Sequence, residues 1–110
     1  MAGKTLLYGT LDTLILKTLS ANALHGYGIA RWLETRTAER IQVDESSLYP
    51  ALYRMEKKGL LASEWGRSEL DRRAKFYSLT PKGRKALEAE TAEWETFAHA
   101  VSTVLLEADG

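Results

Sequence analysis

A run of hydroxyl-bearing and cationic side chains between Ser46 and Lys58 carries the clearest chemistry in this sequence. The apolar residues of SSLYPALYRMEKK recur at helical spacing, so one helix face would be apolar and the other would carry serines, tyrosines and cations. Such side chains can donate hydrogen bonds to phosphates and to base edges. A second basic group follows at Arg72, Arg73 and Lys75. The pattern predicts a surface that binds duplex DNA.

The charges of the chain are divided between two regions, although the net charge over all 110 residues is zero. Residues 46–85 hold ten basic and four acidic side chains, whereas residues 86–110 hold six acidic and no basic side chains. Because charges act within a Debye length of about 8 to 10 Å, the first region can attract phosphates while the second faces elsewhere. On charge alone, a solvated bipolar surface without a nucleic-acid partner is an equally good interpretation.

The chain lacks the residues that several classes of function require. The chain has no cysteine, which excludes disulfides and thiolate metal sites. His25 and His99 are far apart, and the carboxylates of the last region have no histidine or cation nearby, so we expect no enzyme, no metal site and no cofactor. No apolar run approaches the ~20 residues of a membrane span, and the first residues lack the apolar core of a signal peptide. We therefore expect a cytoplasmic protein with no membrane partner.

Two helices are predicted in the first part of the chain. Leucine and isoleucine recur at helical spacing from about Thr10 to Ser20. His25 and Gly26 open a second helix, whose inward residues are Ile29, Trp32 and Leu33. Residues 35–43 form the connection to the next helix, in which Ile41 and Val43 could pair as a short strand.

The third helix is expected to begin at one of two serines. Proline has no N–H and clashes with helix interiors, so Pro50 is placed in the first turn and the N-cap at Ser46 or Ser47. Gly59 ends the helix. Tyr53 is equally consistent with partial burial and with exposure. The inward residues are Leu48, Leu52 and Met55.

A hairpin and a long helix complete the prediction. The segments Leu61–Gly66 and Lys75–Leu79 have the composition of two short strands. Thr80 is an N-cap and Pro81 a first-turn proline, so a fourth helix runs from there to about Leu106. Its apolar residues recur every seven positions, which is typical of helix packed against helix. The predicted fold class is mostly α with a small β-hairpin.

The strings GTLDTLIL, HGYGI, SSLYPALYRMEKKGLL and RRAKFYSLTPKGR, together with Trp94, resemble the PadR family of bacterial transcriptional regulators. The resemblance runs from about residue 6 to about residue 100, and the single C-terminal helix is similar to the short subfamily. It implies a homodimeric winged helix-turn-helix repressor that binds an inverted-repeat operator. The expected organisation is a DNA-binding domain at residues 1–80 and a C-terminal dimerisation helix at residues 81–110, in one compact unit.

The resemblance and the exposed helix face together predict the site residues. The predicted DNA contacts are Tyr27, Ser46, Ser47, Tyr49, Pro50, Tyr53, Arg54, Lys57, Arg72, Arg73 and Lys75. The predicted dimer interface comprises Leu11, Leu87, Trp94, Phe97, Val101, Val104 and Leu105.

Three points stay open at this level. Leu70 and Asp71 depart from the more polar hairpin tip of the family, which leaves contacts between the hairpin and DNA unsettled. The family also implies a small planar apolar effector bound at Trp94 and Phe97, although Trp94 could instead serve as interface packing. The alternative function is a winged-helix module that binds protein through its acidic last helix.

Overall fold

The computed structural model describes the backbone of residues 2–107 and the side chains of residues 10–107. Residues 1 and 108–110, at the ends of the two predicted domains, lie outside the described residues. The elements follow in the order α1 (Ala2–Thr18), β1 (Leu24–His25), α2 (Gly26–Arg36), α3 (Glu45–Lys57), β2 (Leu61–Arg67), β3 (Arg73–Leu79) and α4 (Pro81–Leu105). This is a winged helix-turn-helix followed by one long helix, which confirms the predicted fold class.

The core lies where α1, α2 and α3 meet. Full burial of a large apolar side chain stabilises a fold by about 1.5 to 3 kcal/mol, so this cluster holds the three helices together. Trp32 packs against it while staying partly exposed. The predicted inward residues of the second and third helices are confirmed. The largest fully buried side chains are Ile15, Leu16, Ile29, Leu33, Leu48, Leu52 and Met55.

The first helix begins earlier than the sequence predicts. It runs from Ala2 rather than from about Thr10. Gly9 does not end the helix, because a single glycine costs only about 1 kcal/mol inside a helix. Good helix formers precede it, so the helix continues through Gly9.

The predicted start of the third helix is wrong. The N-cap is Asp44, whose carbonyl accepts from the N–H groups of Ser47 at 3.0 Å and Leu48 at 2.9 Å. Pro50 is therefore the sixth helical residue and not a first-turn residue. Its ring removes only the hydrogen bond to the carbonyl of Ser46, which lies in an exposed turn that water can reach. The two serines are thus free of a capping role.

The sheet contains one strand more than the sequence predicts. Its order is β1-β3-β2, with all pairs antiparallel. The hairpin of β2 and β3 pairs Leu61 with Leu79 and Arg67 with Arg73, and the two-residue β1 adds to the other edge of β3. The predicted strand at Ile41 and Val43 is wrong, because this segment bonds locally: the N–H of Ile41 donates to the Thr37 hydroxyl at 3.0 Å.

The start of α4 is held tightly against the end of α3, and its predicted cap is confirmed. The Thr80 hydroxyl accepts from the N–H of Gly83 at 3.0 Å and donates to the carbonyl of Gly59 at 2.7 Å. The Lys82 ammonium donates to the carbonyl of Lys58 at 2.8 Å. The helix has no acidic residue in its first turn and no basic residue in its last. Among residues 2–107, no helix is both long enough and apolar enough to span a membrane.

Candidate nucleic-acid interface

The outer face of α3 presents the hydroxyls and cations that the sequence pattern places there. Tyr53 is 62% exposed and Tyr49 44% exposed, which settles the open question about Tyr53 in favour of exposure. Ser46 is exposed and Ser47 half-buried. Neither serine hydroxyl has a hydrogen-bond partner within residues 10–107. The first two turns of α3 therefore offer free donors and acceptors to an external partner.

A close contact brings the start of α2 beside this face. A Cβ on Gly26 would lie 2.7 Å from the Tyr49 Oη, so the tyrosine ring can sit there only because residue 26 is a glycine. The next residue, Tyr27, is 68% exposed. His25 caps α2, since its Nδ1 accepts from the N–H of Gly28 at 2.9 Å. The exposed tyrosine of α2 and the outer face of α3 thus form one surface.

The wing, defined as β2, β3 and the turn 68–72, adds two cations without acidic partners. Among the described residues, the exposed side chains of Arg72 and Arg73 form no ion pair, and the guanidinium of Arg73 stacks over the Trp65 ring at 4.4 Å. Arg67, in contrast, donates to the carbonyl of Asp71 at 3.1 Å and lies 3.6 Å from its carboxylate. The basic potential of the wing therefore comes mainly from Arg72 and Arg73.

The wing tip also carries an acidic side chain, Glu69, whose partner the sequence does not predict. The Nε2 of His25 lies 3.3 Å from the Glu69 carboxylate, which connects the wing tip to the start of α2. A hydrogen bond from its own backbone N–H, followed by the one from His25, lowers the pKa of Glu69. Leu70 beside it is 71% exposed. The tip is consequently a mixture of negative and apolar groups rather than a polar amide cluster.

Two predicted DNA contacts are paired with carboxylates of the same chain. The Nη2 of Arg54 donates to the two carboxylate oxygens of Asp12 at 2.7 and 2.8 Å. Lys75 lies 3.3 Å from Glu56, which also accepts from the Ser63 hydroxyl at 2.5 Å. The Ser63 hydrogen bond lowers the pKa of Glu56 against the opposing effect of burial, and Lys75 lowers it further.

Sequence reasoning missed Asp12 because no local pattern joins it to Arg54, which lies 42 residues further on. The partner of Lys75 was equally hidden, since Glu56 lies on a helix and Lys75 on a strand. Lys57, by comparison, has no carboxylate partner among residues 10–107, and its ammonium lies 5.4 Å from the centre of the Tyr53 ring.

A second feature is an open groove of about 1070 Å³ between α1 and α4, called the α1–α4 groove below. The Thr13 hydroxyl of α1 donates to Glu90 of α4 at 2.6 Å, and Asp12 is one of the residues that line the groove. Trp94 and Phe97 lie on its α4 side, with ring centres 6.1 Å apart. Both predicted effector residues therefore line one concave surface.

The predicted dimer residues divide into two groups. Leu11 is only 6% exposed and packs in the core of its own protomer, so its side chain does not reach the surface. Leu87 also packs against this core. The remaining five form an exposed or half-buried apolar stripe along α4, consisting of Trp94, Phe97, Val101, Val104 and Leu105.

Comparison with known proteins agrees with this architecture. The model of the transcriptional regulator PadR-like family matches residues 15–89, which is more than half of the chain. The chain belongs to the PadR family. Among PadR-like structures, a regulator from Bacillus cereus is 31% identical, with a TM-score of 0.78 and coverage of 92% of this chain and 96% of the relative.

Two further relatives extend the match. A transcriptional regulator from Clostridium thermocellum is 30% identical, with a TM-score of 0.79 and coverage of 96% of this chain and 99% of that one. A transcriptional regulator of Mycobacterium tuberculosis is 36% identical over 89 residues, which are 79% of this chain and 78% of the relative. Membership of the PadR family makes this protein a DNA-binding transcriptional regulator and not an enzyme.

Proposed function

We propose that this PadR protein is a homodimeric repressor that binds an inverted-repeat operator, with residues 1–80 contacting DNA and residues 81–110 forming the dimer. One observation carries the proposal: the exposed face of α3 presents serine hydroxyls, tyrosines and Lys57, flanked by Arg72 and Arg73 of the wing, and within residues 10–107 neither the serine hydroxyls nor these three cationic side chains have a hydrogen-bonding or acidic partner. Hydroxyls and cations in this arrangement suit base edges and phosphates.

The docking mode follows from the position of each group. The first turns of α3, with Ser46, Ser47 and Pro50, would enter the major groove, where helix N-terminal residues contact base edges. Tyr27 and Lys57 would flank the groove and contact phosphates. Arg72 and Arg73 would lie along the backbone or in the minor groove. In a two-fold dimer the two α3 helices would lie about 34 to 36 Å apart, one turn of DNA.

The apolar stripe of α4 supports the dimer. Trp94 and Phe97 are 44% and 47% exposed, and Val104 and Leu105 are both 73% exposed. Large apolar side chains in a contiguous stripe mark an interaction surface, and a seven-residue repeat suits a second helix of the same kind.

Enrichment of genomic fragments by the protein, followed by gel shifts, tests the proposal directly. We expect an enriched fragment with an inverted repeat, and we expect its affinity to fall steeply as salt rises, because each neutralised phosphate releases counterions. Failure to enrich any fragment, or salt-independent binding, would reject the repressor and favour the protein-interaction module.

Within that experiment, Arg73→Ala should weaken binding to all sequences alike and reduce the slope of log K against log salt by about 1. Arg36→Ala is a matched control, because its guanidinium also stacks over an indole, that of Trp32, at 4.4 Å, but it lies at the opposite end of α2 from Tyr27. It should leave the slope unchanged. Ser47→Ala should instead change the base preference within the operator at an unchanged slope.

We also propose that a planar apolar effector binds in the α1–α4 groove against Trp94 and Phe97 and releases the operator. The support is the joint presence of both rings on one concave wall. A planar aromatic cation and a planar phenol, tested separately, should quench tryptophan emission, and at least one should release DNA. Trp32 and Trp65 also emit, so the quenching must be lost in Trp94→Phe. Quenching that persists in Trp94→Phe would assign these rings to packing alone.

A further inference from the structure

Arg54 occupies an unexpected position for a cation on the outer face of α3. It lies in the last turn of the helix and is 48% exposed, yet its Nη2 donates to both carboxylate oxygens of Asp12 on α1. The Asp12 side chain is 30% exposed. The pair is electrically neutral as a unit, so it adds little to the attraction of phosphates.

Apolar side chains also join α1 to α3. Ile15 and Leu16 of α1 belong to the same buried cluster as Leu48 and Leu52 of α3. Hydrophobic attraction follows the area removed from water, so it tolerates small rotations of one helix on another. A hydrogen-bonded ion pair loses strength when its geometry changes. The Asp12–Arg54 pair therefore restricts the rotation that the core permits.

A second polar contact holds the same end of α3 from the other side. Glu56, two residues after Arg54, is paired with Lys75 of β3 and accepts from Ser63 of β2. The last turns of α3 are thus held between α1 and the wing by polar side chains, whereas the hydroxyls of Ser46 and Ser47 at its other end form no hydrogen bond within residues 10–107. A 13-residue helix is about 20 Å long, so a tilt of about 5° at the held end moves the serine end by about 1.7 Å. This exceeds the tolerance of a hydrogen bond to a base edge.

We infer that Arg54 is a positioning residue and not a DNA contact, and that the Asp12–Arg54 pair sets the orientation in which α3 meets the operator. The inference rests on the proposed DNA-binding function. It replaces the role that the sequence pattern predicts for Arg54.

The direction in which Asp12→Asn changes the affinity for DNA distinguishes a phosphate contact from a positioning role for Arg54. If Arg54 contacted phosphates, Asp12→Asn would release it and raise the affinity for DNA. If the pair positions α3, Asp12→Asn and Arg54→Gln should each weaken binding to the enriched genomic fragment by about tenfold. Binding to a scrambled fragment of equal length and the salt slope should not change. The double variant should be no weaker than either single variant, because both remove the same contact.

Gel shifts over a salt series with wild type and the three variants provide this measurement, with circular dichroism as the check on folding. Tighter binding by Asp12→Asn, or a salt slope reduced by about 1 in Arg54→Gln, would overturn the inference.

A readout without DNA separates this inference from the proposed function. Amide hydrogen exchange in the last turns of α3 should be faster in both single variants than in wild type. If wild type enriches no DNA, the repressor proposal fails, and the exchange rates alone test whether the Asp12–Arg54 pair holds α3 in place. Unchanged exchange rates in the two variants would then overturn the inference.

Discussion

Gly83→Ala should destabilise the fold by about 3 kcal/mol, because the new methyl group would overlap the backbone carbonyl oxygen of Leu60. It would also press on the Leu79 side chain at 2.8 Å. A side chain could rotate away, but the Leu60 carbonyl also accepts from the N–H of Thr80 at 3.2 Å, so its displacement would disturb the cap of α4. The higher helix propensity of alanine offsets only about 1 kcal/mol of an overlap of this kind. Thermal unfolding at fixed protein concentration should show a melting temperature lower by about 10 °C or more.

Gly28→Ala is the matched control. Both glycines are the third residue of a helix, and the N–H of each donates to the side chain of the N-cap residue. At Gly28 the new methyl would meet the His25 ring at 3.2 Å and the Leu24 side chain at 3.4 Å, and these side chains can shift by a few tenths of an ångström. We expect a change in unfolding free energy within about 1 kcal/mol. Equal effects at the two sites would show that the approach of α4 to Leu60 does not limit stability.

Phe97→Asp should convert the proposed dimer into folded monomers. The ring is 47% exposed in the protomer, so its replacement leaves the core of α1, α2 and α3 intact. In a two-fold dimer the substitution buries two unpaired carboxylates, each costing about 3 to 5 kcal/mol, so the dimer should dissociate at least a thousandfold more readily. Operator affinity should fall with it, because a monomer binds only one half-site. Analytical ultracentrifugation measures the first effect and gel shifts the second.

Leu70→Asp serves as the control for an added surface charge. Leu70 is 71% exposed at the wing tip and lies outside the stripe of α4. Its replacement should leave the oligomeric state unchanged. A dimer that persists in Phe97→Asp would place the interface elsewhere than on the α4 stripe.

The elements with strong local signals could be predicted from the sequence. Thr80 and Pro81 determine the start of α4 through a cap and a proline that act within one turn. The buried stripe of α3 follows from apolar spacing alone. Pro50 misled the prediction because a proline can lie in a second turn when only one exposed carbonyl loses its partner. The strand β1 was missed because two residues are too short to show alternation, and it exists only through its pairing with β3.

In the candidate site, too, the features set by local sequence could be predicted and those set by tertiary packing could not. Periodicity identified which side chains of α3 point outwards, since a helix fixes that direction locally. It could not show that Arg54 and Lys75 find carboxylates on other elements, because those pairings arise only when the helices and strands pack together. Leu11 was assigned to the dimer interface for a related reason. An apolar residue on the buried stripe of a helix gives the same sequence pattern whether it packs in the core of its own chain or against a second chain.

The charge along α4 runs against its own helix dipole. Lys82 lies in the first turn and Glu88, Glu93 and Glu95 follow on exposed positions, with no basic residue in the last turn to balance the C-terminus. Each unfavourable charge near a helix end costs about 0.3 to 1 kcal/mol. The cation at the start of α4 adds to the basic charge of α3 and the wing at one side of the molecule. The glutamates further along α4 place negative charge at the other side. If α3 contacts DNA as proposed, this separation of charge would favour encounters in which α3 faces the polyanion.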